Sequence, residues 1–293
     1  MNAAEFAEFW QIQGNKVIET KSCYWYNPHP LFFMSLPFHR LVTPSRSELA
    51  KVLLQGPSVA VRFPTVPNGT GKEGGLFICS DRNYDLSSLH QKARNQTRRG
   101  LENCTVEQVD FGYLAEHGHT LNEETFQRQG RDPHRITEKQ WHRYCEAASQ
   151  THDFEAWGAF VKGHLAAFMV TALVEDCFNI LHQSSSADYL AYYPNNALIF
   201  TVTKLKLSCP EVGYVSYGLK SLDDTGGLDH FKLRMGFELK PFKDCIVFNP
   251  LLKPFFLFGG NRVIEWMARR HPESDLWRKA SRAIDIAKGK PNA

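Results

Sequence analysis

The chain has 293 residues, 43% hydrophobic and 22% charged, which excludes a disordered or low-complexity polypeptide. At about 150 residues per domain it has room for one large domain or two small ones. Its 34 basic and 31 acidic residues leave a net charge of +3, too mild to demand a nucleic-acid partner and compatible with a phosphate-bearing ligand. No run reaches the roughly 18 apolar residues of a membrane-spanning helix, and the opening MNAAEFAEFW lacks the basic-then-apolar order of a secretory signal, so a cytoplasmic location is expected.

Short β-rich stretches come first (Lys16–Thr20, Leu31–Leu36, Ser58–Phe63 and Leu76–Cys79), broken by Pro, Gly, Asn and Ser, with one amphipathic helix around Ser47–Leu54. Residues 67–75, PNGTGKEGG, have the flavour of a phosphate loop. Glu73, however, stands where a Ser or Thr should follow the lysine, and the earlier glycine is missing, so a flexible loop is expected. From Tyr84 to Gly100 a helix is predicted with Ser87 as its cap and Leu89, Ala93 and Thr97 in one stripe. Its other faces carry Lys92, Arg94, Arg98 and Arg99, which suit a solvated face and a phosphate-facing patch equally.

From Cys104 the order becomes regular: a strand (Thr105–Val109), helices (Glu123–Gln129, Thr137–Gln150), then strands Phe154–Val161, Leu165–Val174 and Phe178–Ser184. The turn residues Lys162-Gly163 and Glu175-Asp176 make those three strands an antiparallel meander. A helix opened by Pro194 and Asn195 follows, with Leu198, Val202 and Leu205 expected on its buried face. Next come a strand (Tyr214–Tyr217), a helix with Leu228, Phe231, Lys232 and Met235 at helical spacing stopped by Gly236, and a last strand, Cys245–Phe248. The tail holds the aromatic run Phe255–Phe258 and two basic amphipathic helices, one with Trp266, Arg269 and Arg270, the other with Trp277, Arg278, Lys279 and Arg282. Such helices pack on a domain or lie on a membrane surface; packing on the domain is the first expectation for this tail, and a peripheral contact with the inner membrane is the second. The seven cysteines are odd in number, widely spread and without a C-x-x-C pair, so neither disulfides nor a zinc site is expected.

Strand, two helices, three antiparallel strands, helix, strand, helix, strand is the element order of the GNAT acyltransferase fold. The stretch from Tyr84 to Phe248 resembles the GNAT-like domain of the Fem family of peptidoglycan-bridge aminoacyltransferases. The residues that carry the likeness are the basic run KARNQTRR (92–99), PNNAL (194–198) and GLDHFKLRMGF (227–237), whose Phe231-Lys232 and Gly236-Phe237 are similar to that group's Phe-Lys-x-x-x-Gly-Phe ending. The resemblance implies an α/β fold with a mixed sheet and splayed central strands. It also implies a partial second GNAT-like unit over residues 1–83, the acyltransferase domain over 84–250 and a helical tail over 251–293.

Its chemistry would be N-acyl transfer from acyl-CoA to the primary amine of an amino sugar, amino acid or cell-envelope precursor, with aminoacyl-tRNA as the alternative donor. A non-catalytic GNAT-like binding module is the reading from a different class. The resemblance places Lys232 in the active site, where a cation would stabilise the oxyanion formed as the amine attacks. His182, Tyr217 and Tyr193 are the candidates for proton transfer, while Gln183, Ser184 and Ser185 on the same strand are placed to orient the acyl carbonyl. The N-terminus of the helix at Asn195 and Asn196 offers N–H groups and a positive dipole to a donor phosphate. Ordinary GNAT enzymes have a glycine-rich turn there, whereas this chain has YYPNN (192–196), so a backbone approach to pyrophosphate is less close. The histidines show no metal-ligand spacing, and no metal is expected.

Overall fold

The computed structural model describes residues 1–29, 31–55, 58–220, 227–252, 254–255, 258–271, 277, 280–281 and 284. In chain order the elements are α1 (Ala3–Ile12), β1 (Val17–Glu19), β2 (Tyr24–His29), β3 (Phe32–Leu36), α2 (Arg46–Leu54), β4 (Ala60–Thr65) and β5 (Lys72–Cys79). Then follow α3 (Gln91–Asn103), β6 (Thr105–Val109), α4 (Phe111–Arg128), α5 (Glu138–Gln150), β7 (Phe154–Val161), β8 (His164–Val174) and β9 (Cys177–Ser185). The remainder is α6 (Pro194–Leu207), β10 (Tyr214–Leu219), α7 (Gly227–Arg234), β11 (Glu238–Phe248) and α8 (Gly260–Arg270). Contacts divide the chain into two compact units, one of Met1–Glu5, Phe77–Gly218 and Thr225–Leu239, the other of Phe6–Leu76, Leu219–Asp224 and Lys240–Ala293.

In the second of these units β1, β2 and β3 are antiparallel, β3 joins β4 in parallel, and β4 pairs antiparallel with β11 from Lys243↔Thr65 to Phe248↔Ala60. Helix α2 is held at its start by a reciprocal capping box between Ser45 and Glu48, which satisfies otherwise orphaned N–H groups. Its Val52 and Leu53 pack with Trp25, Phe33 and Phe63. Phe6, Phe9 and Trp10 form a ring cluster with Tyr26 and Phe38. Arg62 on β4 donates from Nε and Nη2 to the Asp244 carboxylate on β11, at 2.6–3.0 Å.

The other unit is built on the expected meander. Strands β6 to β9 are successively antiparallel, and β10 joins β9 in parallel. The sheet is therefore mixed. Lys162 (φ 52°), Gly163 (φ 82°) and Glu175 (φ 59°) take the left-handed conformations that tight hairpins need. One face is covered by α3 and α6, whose Ala93, Leu198, Ile199 and Val202 pack on Trp157, Met169, Phe178 and Ile180. On the opposite face Trp141 of α5 packs against Phe168 and donates from its indole N–H to the Leu114 carbonyl of α4.

Several expectations need correction. α1 and β2 were not anticipated. α3 starts at Gln91 behind a His90 cap, not at Ser87, because a short 3₁₀ turn capped by Asp85 intervenes. α4 begins at Phe111, twelve residues before its expected start at Glu123, with the Asp110 carboxylate accepting from the Tyr113 N–H. The glycine-rich loop closes within Pro67–Gly71, and Lys72–Gly75 already belongs to β5. Leu205 is exposed, so the buried face of α6 is carried by Leu198 and Val202. β11 starts at Glu238, seven residues before the run read from the sequence. Of the two tail helices, Arg278, Lys279 and Arg282 of the second lie outside the described residues.

Candidate active site

β9 and β10 pair in parallel at Tyr214↔Cys177, Val215↔Phe178 and Ser216↔Asn179, and there the pairing ends. Both strands continue, β9 to Ser185 and β10 to Leu219, so the sheet splays where backbone groups become free for a ligand. Side chains from either side meet across this opening. The Tyr217 hydroxyl of β10 donates to Gln183 Oε1 of β9 at 2.5 Å, Gln183 Nε2 donates to Asn195 Oδ1 of α6 at 2.9 Å, and Asn195 Nδ2 donates to Ser185 Oγ at 2.9 Å. Arg128 at the end of α4 closes the chain, with Nη2 donating to Ser185 Oγ at 2.9 Å. These bonds fix the amide orientations, because each group's donor faces an acceptor.

Lys232 completes the cluster. It is 4% exposed, with its ammonium 4.5 Å from the centre of the Phe77 ring, 5.4 Å from that of Tyr217, and 3.6 Å from an Asp229 oxygen one turn earlier. Ring faces attract a cation, and Asp229 offsets part of the cost of desolvation. Burial nonetheless holds the Lys232 pKa below the ordinary lysine value. Helix α7 can place this residue because Gly236, at φ 84°, closes its C-terminus in the left-handed conformation, while the Tyr84 hydroxyl donates to the Met235 carbonyl.

At the start of α6 Tyr193 is itself left-handed (φ 57°), and Pro194 occupies the first helical position, where its missing N–H is harmless. Most N–H groups of the loop before it already have acceptors within the protein. Ala187 N–H donates to Glu124, Asp188 N–H to Ser186 Oγ, Leu190 N–H to the Ala187 carbonyl, and Tyr192 and Tyr193 N–H to the carbonyls of Tyr189 and Leu190. The Arg99 guanidinium of α3 lies 5.0 Å from the Tyr193 ring centre. α3 comes this close because Gly100 packs on α6, where a Cβ would lie 2.8 Å from the Tyr193 carbonyl oxygen.

The sequence candidates thus fall into two groups. Lys232, Tyr217, Gln183 and Asn195 are brought together, with Ser185 beside them. His182 and Ser184 point to the opposite face, where His182 Nε2 donates to Asn122 Oδ1 at 2.7 Å and Ser184 Oγ donates to the same oxygen at 2.7 Å. The rings of Trp141, Tyr144 and Phe168 enclose His182, and burial lowers its pKa to about 4. His182, neutral and walled off by aromatic rings, thus faces away from the splay, contrary to the expectation from the sequence. Asn196 turns inward to Met235 Sδ at 3.4 Å, and Ser184 is buried. Neither reaches the cluster. Of the basic residues on α3, Arg94 is committed to the Ser87 and Leu89 carbonyls, whereas Lys92, Arg98 and Arg99 remain exposed. Asp229, Phe77 and Arg128 were missed by sequence reasoning; for Asp229 the i, i+3 spacing to Lys232 was an available signal. Among the described residues no group of three or more His, Cys, Asp or Glu side chains is arranged to hold a metal ion.

No protein-family model matches the chain, and no curated protein matches it. Its fold, however, is shared with solved structures. One is FemX, at 13% identity and a TM-score of 0.58 over 85% of this chain and 92% of that one. Another is the C-terminal domain of a protein described as a lysylphosphatidylglycerol synthetase from Agrobacterium fabrum, at 11% identity and 0.56 over 85% and 88%. A third is L-PGS from Bacillus licheniformis, at 13% identity and 0.54 over 86% and 90%. The fold is GNAT-like, a mixed sheet whose central parallel pair splays apart.

Proposed function

We propose that the protein transfers an acyl or aminoacyl group from an activated donor to a primary amine, by direct attack and without a covalent enzyme intermediate. The observation that carries this reading is the buried ammonium of Lys232 beside Tyr217 and Gln183, where β9 and β10 part. In this scheme the amine nitrogen bonds to the acyl carbon while Lys232 stabilises the oxyanion. As the tetrahedral species collapses, the C–S or C–O bond breaks and the departing atom takes a proton from Lys232, which recovers it from the attacking nitrogen. Tyr217 stays neutral, since burial raises its pKa, and its proton is committed to Gln183. Its oxygen is left to accept a hydrogen bond from the incoming amine.

Acyl-CoA is the first donor considered. The Asn195 N–H, which has no backbone acceptor among the described residues, the dipole of α6 and the nearby Arg99 suit a ligand of few charges. Aminoacyl-tRNA is the second, favoured by the internally bonded loop before α6, which leaves no glycine-lined set of N–H groups for a pyrophosphate. Thermal shift separates them, because a ligand that binds the native state raises apparent stability. Acetyl-CoA or charged tRNA should shift the wild type, with turnover to an amine acceptor lowered more than about tenfold by Lys232→Met. No shift with either, and no transfer, would leave a binding module.

A further inference from the structure

The helical wheel of α8 separates two kinds of residue. Stepping 100° per residue, Arg269, Arg262, Trp266, Arg270 and Val263 fall within an arc of about 120°. All five are exposed, Val263 and Trp266 at 53% each. The one acid of the helix, Glu265, lies off this arc and is only partly exposed, as are Ile264 and Ala268. The Arg270 guanidinium sits 5.3 Å from the Trp266 ring centre. Just before the helix, Leu251 is 72% exposed and Phe258 90%. The start of α8 is fixed by Phe255, whose ring would lie 2.3 Å from a Cβ at Gly260.

We propose that this face binds the surface of an anionic lipid bilayer. Three guanidiniums on one arc of α8, with the helix's own acid outside that arc, attract a negative surface, and an exposed indole between them is placed at headgroup depth. The exposed aliphatic side chains, Val263 on the arc and Leu251 ahead of the helix, favour the bilayer of the two polyanions that basic residues with an indole could meet, since aromatic rings alone also stack on bases. These aliphatic groups gain from entering the acyl boundary of a bilayer and gain nothing from the phosphate backbone of a nucleic acid. The proposal stands apart from the transfer reaction, since none of these residues belongs to the site described above.

The test is co-sedimentation of the full chain with vesicles of phosphatidylcholine alone and with about one-third phosphatidylglycerol, with a single-stranded RNA oligomer as a separate arm. Wild type should partition onto the anionic vesicles at least tenfold more strongly than onto neutral ones, and less as salt rises. Each of Arg262→Ala, Arg269→Ala and Arg270→Ala should lower partitioning about fivefold, corresponding to about 1 kcal/mol per basic residue at such a surface. Trp266→Ala and Phe258→Ser should lower it about threefold even in high salt. The side chains are exposed, so circular dichroism should report unchanged folding. Equal binding to both vesicle types, or a triple arginine variant that partitions like wild type, would overturn the proposal. So would arginine variants that lose RNA affinity while vesicle binding is unaltered.

Discussion

Lys232 and His182 are both buried titratable groups, and their surroundings give them opposite prospects. Lys232 faces the splay, with rings and one carboxylate around its charge. Its removal should therefore act on the barrier rather than on folding: Lys232→Met is expected to lower turnover more than about tenfold, the loss of roughly 2 kcal/mol or more that follows when one charge-stabilising donor is deleted. Because desolvation lowers its pKa, wild-type activity should fall on the alkaline side with a midpoint below the ordinary lysine value. A Lys232→Arg variant keeps the charge but cannot hand on a proton, so it should turn over more slowly than wild type and what activity it retains should lack that limb. Steady-state rates across pH for both variants check it, and a full-speed Lys232→Met enzyme would sink the assignment. His182 is held neutral, with a folded pKa of about 4 against 6.5 in the ordinary state. As pH falls below 6.5 the unfolded chain takes up a proton that the folded one refuses, so stability is lost on acidification. The loss should be about 2 kcal/mol between pH 7 and pH 5. Urea unfolding at those two pH values should show His182→Phe losing correspondingly less; an identical pH dependence in both proteins would show that His182 is not the group responsible.

One glycine decides how α7 brings Lys232 to the cluster. Gly236 ends α7 at φ 84°, and a Cβ there would also lie 3.0 Å from the Tyr84 ring and 3.1 Å from the Ser88 carbonyl oxygen. Gly236→Ala should cost about 1 to 2 kcal/mol from the left-handed conformation alone. Because α7 carries Lys232, the variant should also lose turnover; equilibrium unfolding together with rate measurement tests both effects, and an unchanged midpoint would contradict the cap. That glycine was legible in the sequence as a helix stop, as were β6 and β7 to the residue, since alternation and turn residues are local signals. α1 was not, because its sequence AAEFAEFWQI has apolar residues spread round the helix. β2 carries Asn27 and Pro28, and β11 opens on a charged stretch with Pro241, so neither reads as a strand until its partner is known. The His182 misplacement has a sharper cause. Alternation from Phe178 and Ile180 would put His182 on the α6 face, but the β8–β9 register shifts between Thr171↔Ile180 and Val170↔His182. The extra residue, Leu181, reverses every side chain after it. That bulge takes Gln183 to the splay and His182 away from it, and nothing in the local sequence marks it.

At the scale of the whole molecule the question is which donor the charge distribution suits. The net charge of +3 arises from nearly balanced acids and bases, so recognition depends on where the basic groups stand rather than on their sum. On α3 the structure removes Arg94 from the supply, because its guanidinium serves the Ser87 and Leu89 carbonyls. Lys92, Arg98 and Arg99 remain exposed there, and Arg99 stands beside the start of α6. Three exposed cations are a narrow footprint for a tRNA and an ample one for coenzyme A. If tRNA phosphates did meet this helix, replacing Arg98 and Arg99 with alanine would reduce the slope of log affinity against log salt by about 1.4 to 1.8, since each lost phosphate contact removes about 0.7 to 0.9. A coenzyme A donor should instead show a weak salt dependence that the double variant barely changes. We expect the second pattern. Donor titrations from low to physiological salt, on wild type and the Arg98→Ala/Arg99→Ala variant, decide it. A steep slope that flattens in the variant would transfer the assignment to aminoacyl-tRNA, while leaving the role of Lys232 at the acyl carbon as it stands.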